Sequence, residues 1–533
     1  MAKLLLGPVL RHVGRETATV WVETDRPCEV KVLDSRASTF TVHGHHYALV
    51  DVTGLSPGAT IPYDVRLDEA RVWPAESSAF PPPVIRTQRA DRTASLLFGS
   101  CRVTAPDDDA TVAQLGVDML RRTADAVASG TMDTPDALLM IGDQVYADRP
   151  PEDVRAFIRE RRDTTVEPGE EANDFEEYAR LYRAAWGDER VAWLLSTVPV
   201  YTMFDDHDLR DDWNTSAAWR EAIRERPWWP GRVRAGLGSY WVYQHAGNLS
   251  PEARVADPVH RAVTATHGDA GAVLDEWAWR ADDDPDGYRW SYTLDIGRSR
   301  VIMLDTRCGR VLTPGARRMI SKQEADWLAE RTVDELDHLL IASSLPVLLP
   351  PVLHYAEGWS ESVADGAWGR YAARFVERLR QLIDLEHWPA FGTSFAELAR
   401  LVTTVSRREN GPASVLFLSG DIHYSYLATV RTPPGAGRVH QLVSSPFRNP
   451  LSGHIKWANT FAAVRGLGAI GRLVAALAKV PPRPLRWRLR RGPWFDNAIG
   501  RIDLDARAAR ARWYRADPAG GVAVIAHSRL TEE

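Results

Sequence analysis

Asp143, Asp206, His207, Asp421 and His423 lie in three short motifs, each placed directly after an apolar run. The motifs are Ile141-Gly142-Asp143-Gln144-Val145-Tyr146-Ala147-Asp148, Phe204-Asp205-Asp206-His207-Asp208 and Gly420-Asp421-Ile422-His423. Carboxylates and imidazoles where buried strands stop are costly unless something neutralises them, and a bound metal pair does so. Asp421 and His423 stand at i and i+2, the same face of an extended chain. Each motif alone also fits a plainer reading: Asp143 as a helix-capping carboxylate, Asp211 and Asp212 as a solvated acidic turn. Three coincident strand ends favour metal. Cys101 and Tyr146 add a thiolate and a phenolate, anionic donors that suit ferric iron at one position. A carboxylate-rich second position suits a hard divalent ion such as Ca²⁺, Mn²⁺ or Mg²⁺.

The elements that must position these groups read as strands. Ser95–Phe98, Ala137–Ile141, Val198–Phe204, 341–345 and 415–419 are apolar runs of strand length, as in a sheet covered on both faces. Further strands are expected at 288–295 and 300–305, and helices at 111–129, 150–195 and 321–335. A helical, Trp-rich insertion is expected over 213–285. Residues 1–90 read as all-β, with period-two alternation in Thr17–Glu23. Leu55 through Leu67 resembles the corner of a fibronectin type III domain, in which the Tyr63 hydroxyl bonds back to the upstream backbone. Pro81-Pro82-Pro83 reads as a stiff linker.

At 533 residues the chain is too long for one core. A net charge of −6 argues against general nucleic-acid binding. Three cysteines (Cys28, Cys101, Cys308) make no disulfide framework and fit a reducing compartment. The N-terminal apolar run is too short for a signal peptide, and no run of about 20 apolar residues is present. A cytoplasmic location is therefore expected. Residues 455–491 carry nine Lys or Arg and no acid. They read either as an amphipathic helix with a solvated basic face, or as a basic cover over an anionic substrate or surface.

Gly99-Ser100-Cys101-Arg102, the Gly142–Asp148 and Asp205–Asp208 motifs, Leu304-Asp305-Thr306-Arg307 and Gly420–His423 together resemble the PhoD-like alkaline phosphatases, a branch of the metallophosphoesterases. The resemblance covers roughly 95–530. It implies a multidomain protein: an N-terminal all-β sandwich over 1–90, then an α/β metallophosphoesterase sandwich over 91–533, two sheets flanked by helices. It implies hydrolysis of phosphodiesters or phosphomonoesters by a metal-bound hydroxide at a two-metal site. Asp143 would bridge the metals, Cys101, Tyr146 and His423 would hold Fe³⁺, and Asp206 and Asp421 the second ion. His207 would protonate the leaving alkoxide, and Arg102 and Arg307 would clamp the phosphoryl oxygens. The chain departs from the pattern at Asp208, where secreted members have Glu, and at Asp211 and Asp212, near a usual Asn. The superfamily's middle-strand His has no counterpart in Ser343–Leu349, His354 being a distant candidate. Two other readings stay open: a nucleotide pyrophosphatase, and a binding or scaffold protein with a metal-poor site.

Overall fold

Strands Thr93–Gly99, Ala137–Ile141 and Val200–Met203 pair in parallel, as runs without a polar face must when both sides are covered. In the computed structural model, which describes residues 1–89, 93–382, 385–451 and 467–531, they form half of a six-stranded sheet. The antiparallel strands Ile499–Asp505, Ala508–Ala516 and Val522–Arg529 complete it. A second sheet has seven strands, in the order Tyr292–Ile296, Ser299–Leu304, His338–Ser343, Ser414–Ser419, Arg438–Val443, Ser425–Val430 and Trp487–Trp494. Four of these run parallel. One apolar cluster draws on both sheets, with Phe98, Ile141 and Met203 meeting Met303, Leu340 and Leu418. Helices cover the outer faces: Met119–Ala128 and Glu189–Thr197 pack over Leu97 and Leu138, and Lys322–Glu330 and Gly392–Ser406 over Ile302 and Ile341. Short parallel strands then release their loops at their carboxyl ends, where open α/β sheets hold ligands.

Residues 1–86 form three small sheets around Val20, Val22, Val50 and Val65. Two expectations are corrected here. Tyr63 does not bond back within its own domain; its hydroxyl donates to the carbonyl of Ser196 at 2.6 Å, tying the β region to helix Glu189–Thr197. The proline run, expected as a stiff linker, is bonded into the structure on both sides. The carbonyl of Pro81 accepts from Trp193 Nε1, that of Pro83 accepts from the Tyr63 amide, and Val84–Arg86 pairs with Thr60–Pro62. Charged contacts add to this seam, with Arg183 on Glu23 and Arg254 on Asp51.

Between Ala217 and Asp283 the chain is a series of helices whose Trp229 and Trp241 are fully buried. The segment 455–491 is not one amphipathic helix. Residues 452–466 lie outside the described residues. Leu467–Leu477 is helical, while Trp487–Trp494 is the last strand of the seven-stranded sheet, with Arg488 and Arg490 alternating outward against Trp487 and Leu489. That alternation is the strand period, which the density of arginine hides. No described helix is long and apolar enough to cross a membrane.

Candidate metal centre

Cys101, Asp143, Asp421 and His423 all have left-handed backbone conformations, with φ of 57°, 52°, 64° and 55°. Each costs a non-glycine residue about 1–2 kcal/mol, and such strain gathers at functional sites. The turns make the chain reverse just past each strand, so that side chains point into the cleft between strand ends. Two glycines permit the approach. A Cβ on Gly142 would lie 2.8 Å from that of Asp205, and one on Gly420 would lie 1.9 Å from Ser100 Oγ. Both positions precede a site aspartate.

The loops bring the expected donors together. Donor atoms of Cys101, Asp143 and His423 lie within 4.8 Å of one another, as do those of Asp143, Asp206 and His207, and those of Asp205, Asp206 and Asp421. The Tyr146 hydroxyl donates to Asp143 Oδ2 at 3.3 Å. Burial, and then the charges of Asp143 and Asp421, push the Cys101 thiol well above its ordinary value. Burial lifts Asp206 to about 6 against the pull of Arg307. His207 gives Nδ1 to Asp148 at 2.9 Å and lies over the Tyr146 ring at 4.5 Å, with Nε2 at the rim, 3.6 Å from Asp211 Oδ1. Asp208 does not face the cluster. Its carboxylate accepts the backbone amides of Asp143, Gln144, Val145 and Asp205, so it shapes both loops.

Of the two arginines expected to clamp phosphate, Arg102 is turned away from the cluster and Arg307 lies against it. Arg102 is buried, with Nε and Nη2 on Asp118 at 2.9 and 2.8 Å and Nη1 on the carbonyl of Ala185. Arg307 is fully buried beneath the cluster and touches four carboxylates, those of Asp205, Asp206, Glu386 and Asp421. Its Nε and Nη1 donate to Asp205 and Glu386, while Nη2 faces Asp206 and Asp421 at 3.2 and 3.6 Å without a formed hydrogen bond, so it braces the ligands by charge. His354 sits among Phe395 and Trp487, away from these groups, where burial lowers it to about 3. His387 instead reaches the site, with Nε2 on Asp421 Oδ2 at 3.1 Å and Nδ1 on Glu357 at 2.7 Å. Asn449, also missed, donates to the Tyr146 hydroxyl at 2.9 Å and lies 3.3 Å from His423 Nε2. The sequence held a signal for His387 in the pair Glu386-His387, but it precedes no strand; Asn449 held none.

The donors fit a metal on two counts. Asp143 Oδ1 and Asp205 Oδ2 are buried without a hydrogen-bond partner, which native structures rarely leave unexplained. Seven carboxylates (Asp143, Asp148, Asp205, Asp206, Asp421, Glu357, Glu386) meet four cationic side chains (His207, Arg307, Arg310, His387), three more carboxylates than cations.

Among known proteins, the PhoD-like phosphatase model matches residues 121–456, well over half the chain. The chain belongs to the PhoD-like phosphatase family. It is a phosphoesterase, and its hydrolysis of phosphate esters is metal-dependent. A second model, a domain of unknown function (DUF7800), matches residues 1–85 of this PhoD-like phosphatase, where the fibronectin-like corner was expected. The solved structure of PhoD has 12% identity and a TM-score of 0.59, covering 99% of this chain and 90% of that one, which establishes a shared fold. A purple acid phosphatase from yellow lupin (Lupinus luteus) seeds aligns at 10% identity and a TM-score of 0.49, over 98% of this chain and 74% of that one. No curated protein matches the chain.

Proposed function

We propose that this phosphatase hydrolyses phosphomonoesters or phosphodiesters at a two-cation site. Cys101, Asp143, Tyr146 and His423 would hold one ion, suited to Fe³⁺. Asp143, Asp206 and Asp421 would hold the other, suited to Ca²⁺, Mn²⁺ or Mg²⁺. The observation that carries the reading is Asp143, whose donor atoms belong to both a Cys–His group and an Asp–His group and whose Oδ1 has no protein partner. Bound ions would neutralise the ester's charge and acidify an attacking water.

The protein's own residues do the rest. His207, fixed by Asp148, presents Nε2 as a proton donor to the leaving alkoxide. Arg307 and His387 orient Asp206 and Asp421 from below. Asn449 orients the Tyr146 hydroxyl and His423. Arg149 is a further arginine for phosphate: it is 63% exposed and paired at the rim with Asp211. Metal analysis of the purified protein, with activity on one model diester and one model monoester before and after chelation, tests the reading. About two ions per chain and loss of both activities on chelation are expected. Full activity in metal-free protein would refute it.

A further inference from the structure

A groove of about 1210 Å³ lies outside the metal cluster, lined among the described residues by seven arginines and no carboxylate. It lies between the outermost strands of the two sheets, Trp487–Trp494 and Val522–Arg529. Arg488 and Arg490 share one face of the strand at a repeat of about 6.6 Å, and Arg486 immediately precedes it. Arg491 and Arg431 extend the row, the latter from the loop after strand Ser425–Val430. All five are exposed. Among the described residues none of the five has a carboxylate partner, whereas most arginines elsewhere in this chain do. Cations this close, without anions, repel one another, and a groove with walls of one sign concentrates counter-ions.

Protection of a sheet edge explains a charge or two on an outer strand. It does not explain Arg431, which is off that strand, nor a concave space between two edges. The volume exceeds that of an ordinary small-molecule pocket, about 300–1,000 Å³. A repeating row of cations matches a repeating anion. The lining has no exposed Trp, Tyr or Phe for base stacking: Trp487 is buried with its Nε1 on the carbonyl of Leu349, which leaves His527 as the one exposed ring among the lining residues. A flat bilayer does not enter a concave groove.

We propose that this groove binds a linear inorganic polyphosphate-type chain. Strand Ser425–Val430 begins two residues after His423 and its Leu427 already lines the groove. Four residues span at most about 14 Å, so the near edge of the groove lies within that distance of His423.

The test is binding of fluorescently labelled inorganic polyphosphate to chelated full-length protein, across a salt series. The Arg486→Gln/Arg488→Gln/Arg490→Gln variant should bind at least about tenfold more weakly at 0.1 M salt. Its slope of log K against log salt should be shallower by about 2, as three lost phosphate contacts require. Turnover of a small nitrophenyl ester by the metal-loaded variant should be unchanged. Lysine at the three positions should retain most of the binding, which separates charge from strand packing; equal loss with lysine and glutamine would overturn the proposal. Asp143→Asn should bind polyphosphate like the wild type. Loss of binding there would move the ligand to the metal centre and end the proposal while leaving the hydrolytic reading intact. Equal or tighter binding of a single-stranded oligonucleotide of the same charge would also overturn it.

Discussion

His207 is held at one ring nitrogen by Asp148, and its other nitrogen lies 3.6 Å from the rim carboxylate of Asp211. Burial works against its protonation, but Asp148 and then Asp206 overcome it and raise His207 well above 6.5. It therefore carries its proton at neutral pH, as a general acid must. His207→Ala should lower kcat by about 10²–10⁴-fold on an alkyl ester and far less on a nitrophenyl ester, whose leaving group needs little protonation. Activity on the alkyl ester should fall as pH rises through the His207 value, and Asp148→Asn should move that limb to lower pH. An unmoved limb assigns the acid to another residue. The ferric position makes a separate prediction. Iron bound by a thiolate or phenolate should give a visible charge-transfer band that Cys101→Ser or Tyr146→Phe shifts or removes. A colourless, fully active protein would remove iron from the site and leave the hydrolysis in place.

The strand ends act as a unit, and Gly420 is the tightest point among them. An alanine there would overlap Ser100, and overpacking of this kind costs about 1–3 kcal/mol. Gly420→Ala should lower the Tm and the metal content together, and Ser100→Gly should restore both. If metal content holds while Tm falls, the turn matters to folding alone. These strand ends were legible in the sequence because short apolar runs stopping at Gly-Asp leave few alternatives. His387 and Asn449 were not, since both lie in irregular segments away from strands, where pattern says nothing of direction. The two arginines were legible as residues and not as orientations: a guanidinium after a buried strand can point up to the mouth or down to the carboxylates, and periodicity does not distinguish them. The strand Trp487–Trp494 was hidden for another reason, because three arginines in eight residues mask its alternation.

At the scale of the whole molecule, the β region and the catalytic region share a polar seam. His45 lies there between Glu23 and Glu176, at 3.3 and 2.8 Å. Burial opposes its charge, but the bonds to Glu176 and Glu23 raise it to about 9. The folded value exceeds the free value of about 6.5, so this contact stabilises fully below about pH 6.5 and is lost as pH climbs through 9. Thermal unfolding should show the β region loosening over that window, and His45→Gln should flatten the pH dependence. An identical slope in the variant would place the effect elsewhere. The tyrosine corner misled at this scale: Tyr63 has the sequence context of an internal bond and makes an external one.

The left-handed turns at Cys101, Asp143, Asp421 and His423 also govern which replacements these positions can accept. Asparagine and glycine tolerate that backbone, and β-branched side chains do not. In a saturation library screened for solubility alone, with no demand for activity, Asp143 and Asp421 should return Asn and Gly and exclude Val, Ile and Thr. Part of what would pass for catalytic constraint in a set of sequences is then the shape of the chain itself.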